Sequence, residues 1–305
     1  MSLSFVLGLL SGSVTSGTTL LYATLGEVIV QRAGIVNLGI EGVMLVGAAT
    51  GFAITAETGN PVLGIVGAAL AGGIFNLVFG FLVITRMANQ LASGLAMMFF
   101  GFGLSALIGR PYVGSHINGL ENVEIPALEG LPVVGAAIFD QDPLVYLVFP
   151  LAVGIWWVLF RTRWGLSLRA VGESPTTAFA AGRNPSLFRY QAVFLGGLLG
   201  GIAGAHLSLA LALAWSEFMT GGRGFIAIAL VIFSKWHPIR AIAGALLFGG
   251  ALILQLQMQA SGVKISAFLL EMIPFLVTLL VLIAWGGARR HAAPASLGRV
   301  YQGTE

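Results

Sequence analysis

Apolar runs close to 20 residues recur along this chain, separated by short polar breaks rich in glycine and proline. The pattern predicts helices near 5–30, 35–56, 61–85, 89–109, 144–160, 191–215, 222–234, 239–259 and 267–286. A helix needs about 20 apolar residues to cross the hydrocarbon core of a bilayer. Most of these runs are that long, and the short one at 222–234 reads as a candidate re-entrant segment. No period-two alternation points to a barrel. Gly196, Gly200 and Gly204 repeat at four-residue spacing, with Gly197 and Gly201 one step around the same helix. Lipid supplies no hydrophobic drive for helix association, so small residues of this kind let two backbones pack closely.

Composition agrees with the pattern. Of 305 residues, 57% are hydrophobic and 9% charged, too few to clothe a soluble domain. The expected fold class is an all-α, polytopic membrane bundle of about nine segments. Residues 1–288 form one transmembrane domain and 289–305 a short, mobile tail. The opening MSLSFVLGLLSG has no basic region and no clear cleavage site, so it reads as a retained first span. The absence of cysteine excludes disulfides, thiolate catalysis and Cys-based metal sites.

Two connections are long. Residues 110–143 hold Glu121, Glu124, Glu129, Asp140 and Asp142 against Arg110, whereas 161–190 hold Arg161, Arg163, Arg169, Arg183 and Arg189 against Glu173. The positive-inside rule places the second loop in the cytoplasm and the first outside. Alternation then puts the N-terminus outside and the C-terminus inside.

Within the basic loop, RAVGESPTTAFAAGRNP (169–185) carries the signals of a small helix. Ser174 suits an N-cap, Pro175 the first helical position and Gly182 the stop. A helix over 175–181 is too short to be stable alone in water. It needs a surface, which is either a partner groove filled by Phe179 and the alanines or the lipid headgroups.

The loop WGLSLRAVGESPTTAFAAGRNP, with the glycine-rich span from Tyr190, resembles the cytoplasmic loop of ABC-importer permeases of the branched-chain amino acid, simple sugar and nucleoside group. LGEVIVQRAGIVNLGIEGVMLVGA (25–48) and GGRGFIAIALVIFSKWHPIRAIAGALLFGGA (221–251) are similar to other stretches of that group, in the same order. The wording of QRAGIVNLGIEG looks most like the nucleoside permeases served by a Bmp-type binding lipoprotein. The resemblance implies a coupling helix that docks on a separate ATPase subunit, with Arg169, Gly172, Glu173, Ser174, Pro175, Thr176, Phe179, Ala180 and Gly182 as its residues. It also implies a second, non-identical permease subunit, an external substrate-binding lipoprotein and residence in a bacterial inner membrane. No nucleic acid is expected, and no cofactor is bound by this chain. ATP would be used by the partner, since Lys235 and Lys264 are the only lysines and neither lies in a G-x-x-x-x-G-K-[ST] loop.

Ionisable groups at membrane depth usually pair or face a cavity. Arg32 is expected to neutralise Glu27 or Glu41. The alternative is that Glu27, Arg32, Asn37 and Glu41 line an inner gate. Asn37 and Glu41, four apart, would share a helical face. Asn76, Asn89 and Gln90 are further candidates for the pore, as are Gln191, His206, Gln255 and Gln257, although amides also bridge helices with no ligand. Glu271 would snorkel to the interface, contact Lys264 or help build the pore. A secondary transporter using Glu27, Glu41 or Glu271 as a proton relay is the rival class, yet no inverted repeat supports it. A membrane enzyme lacks a clustered nucleophile, paired acids or metal ligands.

Overall fold

The structure is a computed structural model that describes residues 3–124, 139–261, 266, 269–270, 272–285 and 293–299. Its helices are α1 (Leu3–Arg32), α2 (Ile40–Thr58), α3 (Pro61–Gly80), α4 (Gln90–Gly109), α5 (Pro143–Arg161), α6 (Arg163–Glu173), α7 (Pro175–Ala180), α8 (Pro185–His206), α9 (Arg223–Phe233), α10 (Pro238–Ala260) and α11 (Ile273–Trp285). Wider π-type turns extend α3 through Phe81–Thr85 and α8 through Leu207–Leu211. Two short strands, β1 (Val123–Glu124) and β2 (Asp140–Gln141), pair antiparallel in the acidic loop.

Among the described residues, seven helices are long and apolar enough to cross a membrane. This is fewer than the nine expected segments. The helix predicted at 222–234 forms as α9, but its 11 residues reach only about 16 Å. The described part of the last segment is the 13-residue α11. The second span begins at Ile40 and not at 35, because Gly34 adopts a left-handed φ of +86° and the chain turns through residues 33–39. The basic loop holds α6 as well as α7. The sixth long helix starts at Pro185, six residues earlier than expected, because Asn184 caps it by accepting the Leu187 N–H at 3.2 Å.

Helix α3 inverts the packing of a soluble helix. On α3 the large residues Val62, Val66, Leu70, Ile74 and Val78, spaced four apart, face outward, whereas Gly64, Ala68 and Gly72 face inward. Helix α8 is buried along 78% of its most apolar stretch, and its glycines set how close the neighbours lie. A Cβ on Gly204 would collide with the Met44 carbonyl, and one on Gly201 with that of Ala68. The small-residue repeat therefore locks α8 against α2 and α3, as close backbone packing in lipid requires.

Contacts gather the turns after α1 and α3, the α5–α8 loop and the α9–α10 turn at one end. Arg32 Nε donates to the Trp236 carbonyl at 3.0 Å, Arg189 Nε to that of Ala33 at 3.3 Å, and the Val36 N–H to Gln90 Oε1 at 2.8 Å. This basic end also receives the tail. Residues 293–299, expected to be mobile, are seated against it, with Pro294 and Ser296 buried.

Candidate functional site: the basic end and its projecting helix

Helix α6 begins at Thr162, whose Oγ1 accepts the Gly165 N–H at 3.1 Å. It folds back on the end of α5. Arg169 Nε donates to the Leu159 carbonyl at 3.0 Å, and its guanidinium lies 4.9 Å from the centre of the Phe160 ring. Gly172 is pressed against the Arg32 carbonyl, where a side chain would not fit. Ser174 then separates α6 from α7. Its Oγ accepts the Thr177 N–H at 3.3 Å, while Pro175 opens the helix. At the far end the Gly182 N–H returns to the Phe179 carbonyl at 2.9 Å, with Gly182 in the left-handed region at φ +76°.

The local grammar of cap, proline and glycine thus yields the helix that it predicts, one residue shorter. Ala178 is its buried side, while Thr176, Thr177 and Ala180 face outward. Phe179 is 48% exposed. A six-residue helix thus presents an aromatic ring outward, on a base fixed by α6. Arg183 is exposed beside it.

The gate candidates separate into three groups. Glu27 is fully buried on α1; neither of its carboxylate oxygens accepts a well-formed hydrogen bond, and Gln31 and Asn37 are the side chains that face it. Asn37 Nδ2 donates to Asn76 Oδ1 at 2.9 Å, and Asn76 Nδ2 to the Val193 carbonyl at 2.7 Å. This amide chain joins the α1–α2 turn, α3 and α8. Asn37 lies in the turn before α2, so the helical face that it was expected to share with Glu41 does not exist; its Oδ1 instead accepts the Gly39 N–H.

Glu41 belongs elsewhere. Its Oε1 accepts the Thr220 hydroxyl at 2.6 Å and the Gly222 N–H at 2.7 Å, and its Oε2 the Gly224 N–H at 2.5 Å. A carboxylate from α2 therefore caps the N-terminus of α9, where free N–H groups and the helix dipole favour negative charge. Arg32 pairs with neither Glu27 nor Glu41, contrary to expectation. It lies at the last residue of α1, bonded to the Trp236 carbonyl and with its guanidinium 5.3 Å from the Phe160 ring centre. Glu41 is turned toward α9, out of its reach. Asn89 is exposed and caps α4 by accepting the Ala92 N–H at 3.0 Å, and Gln90 bridges Val36 to the tail.

Three features have little signal in the sequence. His206 Nδ1 lies 2.7 Å from Thr19 Oγ1 and its Nε2 3.2 Å from Asp142 Oδ2. Arg223 and Gln255 border a cleft of about 330 Å³ at the start of α9. Ser296 anchors the tail. Glu271 and Lys264 lie outside the described residues. Among those described, no group of three His, Asp or Glu side chains is placed to hold a metal.

Comparison with known proteins follows this geometry. The profile of the family described as "Branched-chain amino acid transport system / permease component" matches residues 9–284. A Haloferax volcanii protein provisionally named as a glucose ABC transporter permease is 44% identical over 85% of this chain and 80% of its own. The nucleoside ABC transporter permease NupC of Lactococcus lactis is 34% identical over 93% of both chains. The guanosine ABC transporter permease NupQ of Bacillus subtilis is 33% identical over 95% of this chain and 96% of its own.

Proposed function

The chain belongs to the branched-chain amino acid transport system permease family, and from that premise we propose that it is the membrane-spanning subunit of an ATP-driven importer for nucleosides. It is a multi-pass integral membrane protein of a transport family and not of a catalytic one. In our reading it crosses the plasma membrane of its cell about nine times, with residues 212–233, which end in α9, and the segment of α11 completing the count. The basic end then faces the cytosol.

The observation that carries the mechanism is α7, a capped helix that offers Phe179 outward from a rigid base. It serves as the docking helix for an ATPase subunit, because this chain has no phosphate loop of its own. Closure of the ATPase pushes α7, and α6 passes the push to α5 through Arg169 and to α1 through Gly172. The spans then open alternately to the two sides. A binding lipoprotein supplies cargo at the acidic face, and a second permease completes the path.

Two relatives named for nucleosides or guanosine align over more than nine-tenths of both chains, which supports nucleosides as cargo. The relative provisionally named for glucose shares higher identity and makes a simple sugar the second reading. The test is uptake of radiolabelled guanosine and of glucose by proteoliposomes holding the complete complex. We expect ATP-dependent guanosine uptake that excess glucose leaves intact. The double change Phe179→Asp and Ala180→Asp should abolish both uptake and co-purification of the ATPase. Guanosine uptake driven by a proton gradient alone would overturn the proposal, and glucose uptake without guanosine uptake would move the cargo to the second reading.

A further inference from the structure

Helix α6 ends on carbonyls that no helical N–H can reach, as every α-helix does. Here a remote segment reaches one of them. The Ser296 N–H donates to the Gly172 carbonyl at 3.0 Å, and the Ser296 hydroxyl donates to the same oxygen at 2.6 Å. The neighbouring Ala295 N–H donates to Glu173 Oε2 at 3.2 Å. Two residues on, the Gly298 N–H donates to the Gly34 carbonyl at 3.2 Å. The Arg299 carbonyl then accepts from Gln90 Nε2 at 3.1 Å, while Gln90 Oε1 holds the Val36 N–H at 2.8 Å. One short stretch therefore joins the end of α6, the α1–α2 turn and the first turn of α4.

The seat is shaped for it. Ser296 is 6% exposed, and a Cβ on Gly34 would collide with its Oγ. Gly34 is left-handed, so glycine at that position supplies both the turn and the space. The strap is itself turned, with the Leu297 N–H on the Pro294 carbonyl at 3.0 Å and Gly298 at φ +76°.

We propose that residues 294–299 are a strap that makes Ser296 a positioning residue for the docking helix, and this rests on the function proposed above. Only Ser174 lies between Glu173 and the first residue of α7. A force on α7 thus acts first on Gly172 and Glu173, the pair that the strap holds. With the strap in place, that pair cannot shift without carrying Gly34 and Gln90, and through them α1, α2 and α4. Without it, the Gly172 carbonyl loses both donors and α7 can tilt about Ser174 while the spans stay still. Glu173, which the resemblance assigns to the coupling helix, is engaged within the chain by the Ala295 N–H.

The test uses the complete complex in proteoliposomes, with the ATPase, the second permease and the binding lipoprotein. Its readout is the factor by which cargo-loaded lipoprotein stimulates ATP hydrolysis. Ser296→Ala, and separately a chain ended at residue 292, should keep the ATPase at unaltered stoichiometry and lose that stimulation at least threefold. A disulfide between Glu173→Cys and Ala295→Cys, clean in a chain without other cysteines, should restore the stimulation in the Ser296→Ala background until reductant is added. Where the shortened chain fails to fold, Ser296→Ala and its disulfide rescue decide alone. A purely structural role would lower the melting temperature and leave the factor unchanged, which overturns the proposal. Failure of the underlying function reads differently: the ATPase would then stay bound to the Phe179→Asp, Ala180→Asp chain.

Discussion

Asp142 sits just before α5, where its Oδ1 accepts the Leu144 N–H at 2.9 Å and its Oδ2 faces His206. Burial alone would lift its carboxyl. The hydrogen bond and charge of His206, with the N–H groups of Leu144 and Val145, outweigh burial and hold it below its ordinary 3.8. A carboxyl lowered by folding adds stability that is complete above the unfolded value and is lost as pH falls through the folded one. The apparent melting temperature of the purified chain should therefore fall as pH drops below about 4. Asp142→Asn should flatten that acid limb and cost about 1–3 kcal/mol near neutrality, read from thermal scans at a series of pH values. An acid limb equally steep in Asp142→Asn would assign the loss to other carboxyls. The sequence marks Asp142 only as one of several acids in an outer loop. Its partner is 64 residues away, and no local pattern announces it.

At the scale of the element, α7 and α9 differ in how far the sequence foretells them. Cap, proline and glycine all lie within ten residues of α7, so its position is legible from its own stretch. Helix α9 is foreseen as a short apolar run, but what starts it is not, because its cap is Glu41, more than 170 residues earlier. The expected Arg32 partnership with Glu27 or Glu41 fails for the same reason. Closeness along the chain suggests a pair, whereas the tertiary fold turns Glu41 toward free N–H groups. Helix α6 is missed because its polar, arginine-rich stretch reads as loop until it packs on α5. Glu41→Ala should leave the Gly222 and Gly224 N–H groups without an acceptor, a loss of about 2–3 kcal/mol for bonds to a charged group. Hydrogen exchange should then quicken across 220–226 while α8 stays protected. Unchanged exchange there would show that Glu41 does not hold α9.

Across the whole molecule, glycines and alanines set the closest helix contacts while large apolar side chains such as Leu107, Trp157 and Ile283 also face outward, which suits a chain whose solvent is lipid. The membrane class, the glycine-locked α8 and most long helices are legible in hydropathy and spacing. The docked tail is not, since it is held by the Gly172 and Gly34 carbonyls and by Glu173 and Gln90, groups that lie far from it in sequence and carry no local signal. The central claim is that α7 meets a separate ATPase on the cytosolic side. A photo-crosslinking amino acid at position 179, activated in intact cells, tests it most directly. The account predicts one major adduct, to a protein carrying a G-x-x-x-x-G-K-[ST] phosphate loop. Adducts to lipid alone, or reaction of a cysteine at 179 with an impermeant reagent added outside the cells, would contradict it.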